Sequence, residues 1–365
     1  MVAKLTREQV LFLTFIGIIG NIVYIHTWMD DSTDRSAWLA AFVGILMLTP
    51  FLIWIFYLAK SYPESTILDI LENGLGRLTS ILICSIFIII NVALAVTHLN
   101  MFTEMLNVFF LPNTPPLVIM ASMVFIGALL AGGRIRSFAR LVEILAVVGA
   151  LNYFIAFLLA IFKNFHIEYI IPIFDTSLLG FVKGTLFMAS GSADCLLLFM
   201  ILVRFVPHPA KHYMWVVKGV VMSSLIFTFA IFIIIAMMSP ELAKRIAFGG
   251  VNAAKLIKIG NFIQGMEAFI FITYQFIAIG KITTCLYCAW TASKKIFCNK
   301  KPLLHMVIMS LLILIPSVWL SSYNKAYFLA VFFANYIILP FSILVLLLAS
   351  LSVMIKNKKT GSDRK

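Results

Sequence analysis

Acidic side chains are scarce in this chain. Asp and Glu number 15 among 365 residues, and charged residues of either sign make up 12% against 62% hydrophobic. A soluble domain carries roughly a quarter charged and about half apolar residues. So apolar a chain cannot hide its surface in an aqueous fold, which excludes a soluble enzyme and a soluble nucleic-acid binder. The net charge of +13 sits in short loops and tails and reports topology, not a nucleic-acid partner. Cysteine is sparse too. Cys84, Cys195, Cys285, Cys288 and Cys298 lie in or beside apolar stretches without the spacing of a secreted scaffold, so no disulfide framework is expected. Cys285 and Cys288 form a Cys-x-x-Cys pair, but no second pair or nearby His accompanies it, and packing is expected over metal binding. The chain also lacks a Gly-x-Ser-x-Gly elbow, a His-Glu-x-x-His helix and a Walker-type phosphate loop. Gly191-Ser192-Ala193-Asp194 brings a Ser near an Asp, yet no His shares that stretch to act as base. No catalytic residue, cofactor or metal is therefore expected.

What is present in abundance is long apolar runs, with a mean hydropathy of +1.05. About 20 apolar residues in a helix cross a hydrocarbon layer of roughly 30 Å and satisfy their own backbone hydrogen bonds on the way. Pro, Gly and charge punctuation divides the chain into ten predicted spans: 8–29, 37–58, 78–105, 115–131, 137–162, 178–205, 213–238, 262–290, 303–320 and 326–355. The fold class is thus all-α integral membrane, a single transmembrane domain over 1–365 with a basic tail at 356–365. The first run is too long for a signal h-region and no small-residue cleavage site follows it, so it is expected to be retained.

An even number of spans puts both termini on one side. Nineteen of the 28 Lys and Arg residues fall on that side, eight on the other, and Lys281 lies within a span; the basic excess predicts cytoplasmic termini. Two loops carry helical spacing. Pro63 to Leu75 reads as a short amphipathic helix stopping at Asn73-Gly74, and Pro240 to Leu256 reads likewise on the opposite face. They follow spans two and seven, five helices apart and on opposite sides. An inverted 5+5 repeat, residues 8–162 and 178–355, would produce that placement and is typical of secondary transporters.

Such a repeat puts its ligand site near the midplane, where the first helix of each half is broken. Span one carries Gly17-Ile18-Ile19-Gly20-Asn21, and span six carries Ala189-Ser190-Gly191-Ser192-Ala193-Asp194. Small residues also serve plain close packing of membrane helices; their matched positions favour a site. Freed amides would hold a carboxylate and freed carbonyls an ammonium, which makes a zwitterionic amino acid the natural ligand.

Ionisable residues within spans are functional candidates by default. Glu267, Tyr274 and Lys281 lie seven residues apart and share a face of span eight. A desolvated lysine sheds its proton more readily than one in water, so Lys281 is read either as a built-in cation or as a proton site, against a structural role snorkelling or pairing with a carboxylate. Asp194 either faces the cavity or caps the lower half of span six, capping being favoured. His98 and Glu104 in span three would line an access path, with His98 more often a packed residue. The candidate ligand-binding set is Gly17, Gly20, Asn21, Ser190, Gly191, Ser192, Asp194 and Tyr274, with Lys281 as the proton or cation site.

Several short motifs carry a family resemblance over the whole chain: Thr6-Arg7-Glu8-Gln9, Asp34-Arg35-Ser36-Ala37-Trp38, Tyr62-Pro63 leading to Leu68-Asp69-Ile70-Leu71 and Gly74-Leu75-Gly76-Arg77, and Gly132-Gly133-Arg134. With them the chain resembles the spore germination permeases, the B subunits of nutrient germinant receptors, within the amino acid/polyamine/organocation transporter superfamily. The resemblance implies a LeuT-like bundle with a central amino-acid site among spans one, three, six and eight. It also implies a companion membrane subunit and a companion lipoprotein in the spore inner membrane, and a sensing role. The alternatives are a proton-coupled amino acid transporter using Lys281 and a scaffold whose polar residues only pack.

Overall fold

Apolar runs this long have one way to satisfy their backbone, and each becomes a helix. The computed structural model describes residues 4–22, 33–161, 165–256, 267–297, 301–320 and 322–362. Parts of spans one and eight (23–29 and 262–266) and Cys298 lie outside them. Sixteen α-helices form among the described residues, with no strand. Seven helical stretches are long and apolar enough to cross a bilayer: Asp34–Ser61, Arg77–Phe109, Leu178–Phe205, Pro209–Met238, Ile270–Ile296, Pro302–Leu320 and Tyr323–Lys356. Of the three further predicted spans, α6 (Pro116–Gly132) is a shorter apolar helix of 17 residues. The other two, α1 (Arg7–Ile19) and α7 (Ile135–Ile161), run up to undescribed residues.

Local chemistry explains the interruptions. Span two is α2 (Ala37–Leu46) and α3 (Thr49–Ser61). Pro50 has no amide to give the Leu46 carbonyl, and the first helix stops there. In the last span α15 (Tyr323–Phe332) passes through a π turn, Phe333–Ile338, into α16 (Leu339–Ser362). Pro340 removes a ladder bond just beyond that turn, and wider winding accommodates the loss. The amphipathic helix after span two is α4 (Ile67–Leu75), closed at its start by a Thr66–Asp69 capping box. It runs through Asn73-Gly74 and ends at Gly76, whose φ of 86° terminates it. Gly74 is helical because α4 lies hard against Ser352 of α16, where no side chain fits. The second predicted loop helix is two pieces, α11 (Pro240–Arg245) and α12 (Gly249–Lys255), divided at Phe248 with φ 57°.

At the centre stands α13 (Glu267–Ile296), which packs on α1, α5 (Arg77–Phe109), α6, α7, α9 (Asp194–Leu202) and α14 (Pro302–Leu320). The most apolar window of the sixth span is 89% buried, whereas that of α14 is 28% buried. Span six is therefore an interior helix, and α14 turns Trp319 and Leu303 outward. Both termini emerge at the end bearing α4, since Lys4 faces Glu64 at 3.8 Å and Lys356 lies over the Tyr62 ring.

Candidate functional site

Span one leaves α-helical winding where its glycines are. The α-helix ends at Ile19 and a tighter turn covers Gly20, Asn21 and Ile22. The last carbonyls of an α-helix have no intrahelical partner, and that of Gly17 accepts the Lys281 ammonium at 2.7 Å. Span six breaks at the facing level. Its first half, α8 (Leu178–Ser192), closes on a turn at Ala193, and α9 begins with Asp194. The Asp194 carboxylate forms an ion pair with Lys281. Each charge sits at a favourable helix end, the ammonium at the negative end of α1 and the carboxylate at the positive end of α9. Lys281 is 2% and Asp194 6% exposed, so without each other both would bear a heavy desolvation cost.

The pair is the end of a longer buried chain of polar groups. Asn21 donates its amide to the other Asp194 oxygen at 3.1 Å, and its carbonyl lies 2.9 Å from His98 Nε2. His98 Nδ1 lies 2.7 Å from the Leu94 carbonyl, which can only accept, so Nδ1 carries a hydrogen. Beside the pair lies a cavity of about 10 Å³, lined among others by Asn91, Leu198, Thr284, Cys285 and Cys288, room for about one water. In this conformation the site is closed.

Of the sequence candidates, Gly17, Gly20, Asn21, Asp194 and Lys281 come together. A Cβ on Gly20 would lie 2.5 Å from the Lys281 side chain, so this glycine makes way for the lysine stem. A Cβ on Gly17 would come within 3.0 Å of Cys195 Sγ, so Gly17 serves close helix packing and ion-pair binding at once. Ser190, Gly191 and Ser192 are buried in the last turn of α8, and the Ser192 hydroxyl makes no hydrogen bond among the described residues. Tyr274 is buried two helical turns from Lys281 and does not line the cavity. Asp194 does not cap α9, which has no side-chain cap; its carboxylate is directed to Lys281 and Asn21 instead. The Glu267 side chain lies outside the described ones. Sequence reasoning placed His98 as a packed residue, and it is packed, but it also belongs to the network. Thr284 escaped it, and Cys285 and Cys288 were assigned to packing alone, although the three follow Lys281 by three, four and seven residues, the spacing of one helix face.

A family model described as spore germination protein matches residues 4–326. Among relatives in Bacillus subtilis (strain 168), the spore germination protein YndE is 21% identical over 82% of this chain and 83% of its own length. Spore germination protein B2 is 23% identical over 74% of each, and spore germination protein KB 22% identical over 88% and 86%. The crystal structure of MhsT in complex with L-phenylalanine, a LeuT-fold transporter, superposes with a TM-score of 0.64 at 12% identity, covering 98% of this chain and 93% of that one. The fold is therefore LeuT-like. On the family match over most of its length, this integral, multi-pass membrane chain belongs to the spore germination proteins of the permease type.

Proposed function

We propose that this chain is the nutrient-sensing, permease-like subunit of a germinant receptor, taking a small amino acid at the junction of spans one, six and eight. The observation that carries the reading is the Lys281–Asp194 pair set on the Gly17 carbonyl. It joins both broken helices to α13 through charges that a zwitterion can replace, the ligand's carboxylate competing for Lys281 and its ammonium for Asp194 and Gly17. The site admits about one water when closed, so binding must part these helices. That movement is what a sensor hands to companion subunits, a membrane protein and a lipoprotein. The two halves, about 8–162 and 178–355, act as inverted repeats around the pair. The basic excess supports termini in the cytoplasm, and the family supports the spore inner membrane.

The test is binding of labelled amino acids, sugars and nucleosides to the purified chain in nanodiscs, with Gly191→Trp as control for the central site. Saturable binding of an amino acid that the control abolishes supports the reading. Binding that survives the control moves the site elsewhere and overturns it. The burial of a lysine against a carboxylate also favours a second reading, a proton-coupled amino acid transporter with Lys281 as the proton site. Uptake into proteoliposomes containing this chain alone favours the transporter; germination lost without any loss of uptake favours the sensor.

A further inference from the structure

A second polar cavity lies far from the central pair, at the end of the molecule where both termini emerge. It measures about 350 Å³ and is lined by Lys4, Lys60, Arg204 and Lys211, with Glu64 and His208. Four cations thus face one carboxylate, and that carboxylate pairs with Lys4 at 3.8 Å, between side chains that are both 54% exposed. Arg204 Nε is buried and makes no hydrogen bond among the described residues. The first turn of the 30-residue α10 (Pro209–Met238) opens on the same cavity through Pro209, Ala210 and Lys211, and no side chain caps it. Pro209 has no N–H and the Lys211 N–H is taken by the His208 carbonyl at 2.8 Å, so this helix start offers an anion chiefly its positive potential.

We propose that this cavity is a binding site for a phosphate group. Lysines and an arginine around an uncapped helix start match phosphate in charge and in donor number. Its height fits the phosphate of a lipid headgroup, because Lys60 lies in the last turn of α3 and Arg204 just past α9, where two spans leave the apolar zone. A free phosphate in the aqueous phase carries the same chemistry. The consequence of occupancy follows from Lys4. The segment before α1 is already tied down, Leu5 N–H donating to the Phe205 carbonyl at 2.9 Å and Arg136 Nε to the Lys4 carbonyl at 2.6 Å. A phosphate shared by Lys4, Lys60, Arg204 and Lys211 fastens the start of span one to the ends of spans two and six and the start of span seven, and so opposes their separation.

The experiment follows the thermal unfolding midpoint of the full chain in three settings: phosphatidylcholine nanodiscs, the same with increasing phosphatidylglycerol, and phosphatidylcholine nanodiscs with inorganic phosphate added. Wild type is compared with Lys60→Gln/Lys211→Gln and with Arg134→Gln/Arg140→Gln, which removes equal charge from the same end outside the cavity. All four residues are exposed, so both variants are expected to fold. A rise in midpoint with phosphatidylglycerol, displaced at least about tenfold to higher lipid fraction only in the cavity variant, establishes the site with a lipid as its source. The same pattern with inorganic phosphate alone establishes it with a soluble source. A response equal in wild type and the cavity variant, or lost equally in the control variant, overturns the proposal.

Discussion

Lys281 and Asp194 are stable inside the bundle only as a pair, and this fixes what each substitution must do. Lys281→Met leaves a buried carboxylate with only the Asn21 amide, and Asp194→Asn leaves a buried ammonium with only the Gly17 carbonyl. Each single change is expected to cost about 3–5 kcal/mol, while the double variant, with no charge left to desolvate, recovers most of that loss. Unfolding of the four proteins in detergent closes the cycle. Single variants within about 1 kcal/mol of wild type would show that the pair contributes no stability. At this scale the sequence was informative about which residues matter and poor on why. A lysine and an aspartate deep in apolar runs stand out because the bilayer penalises them. That they meet is invisible, because 87 residues separate them and no periodicity spans that distance. Gly20 looked like a helix relaxant; its steric purpose, leaving room for the Lys281 stem, exists only once α1 and α13 are side by side.

At the scale of elements, α4 shows how a short surface helix becomes part of the bundle. Its apolar face buries Ile67, Leu68, Ile70 and Leu71, and the Ile70 carbonyl accepts the Ser352 hydroxyl of α16. Asp69 adds a polar tie, its carboxylate 2.8 Å from Lys295 in the last turn of α13, with Glu72 at 3.2 Å from the same ammonium. Burial opposes ionisation of Asp69, but hydrogen bonds from Lys295 and Thr66 outweigh it and hold the carboxyl below its ordinary 3.8. A depressed folded value means that the ionised group adds stability above about pH 4, and that this is lost as pH falls through the lower folded value. The expected result is an acid-side decline in thermal midpoint that Asp69→Asn flattens, at a cost of about 1 kcal/mol near neutrality, since the pair is partly exposed and screened. An unchanged acid limb in the variant would detach Asp69 from this role. The spans themselves were readable because hydropathy, helix length and bilayer thickness constrain one another. Their proline interruptions were not read: span two was expected unbroken over 37–58, although Pro50 divides α2 from α3. The end of α4 was misplaced by two residues because Asn73-Gly74 is a stop signal in isolation, whereas here tertiary contact with α16 keeps Gly74 helical and Gly76 takes the left-handed turn.

For the whole molecule, the proposed function requires a helix to move when a ligand enters, and the empty space beside α1 bears on which one. One face of α1 is held at Gly17 and Asn21 by Lys281 and Asp194. Its other face meets a small apolar cavity with Phe15, Ile16 and Ile19. Beyond Phe12, an apolar crevice of about 660 Å³ opens between α7 and α10, flanked by Val147, Leu151 and Met222. On the proposed function, the space beside α1 and a breakable ion pair on its other face favour α1 as the element that swings, away from α9 and toward α7. A covalent lock tests this. A Cβ built on Gly17 lies 3.4 Å from Cys195 Cβ, close to the roughly 3.5–4.5 Å that disulfides span. Gly17→Cys is therefore expected to bridge to Cys195 under oxidant and fix α1 on α9. Ligand binding in nanodiscs should then vanish on oxidation and return on reduction, with oxidised wild type unaffected. Binding that persists in the bridged protein would mean that α1 and α9 need not part, and the moving element would have to be α13.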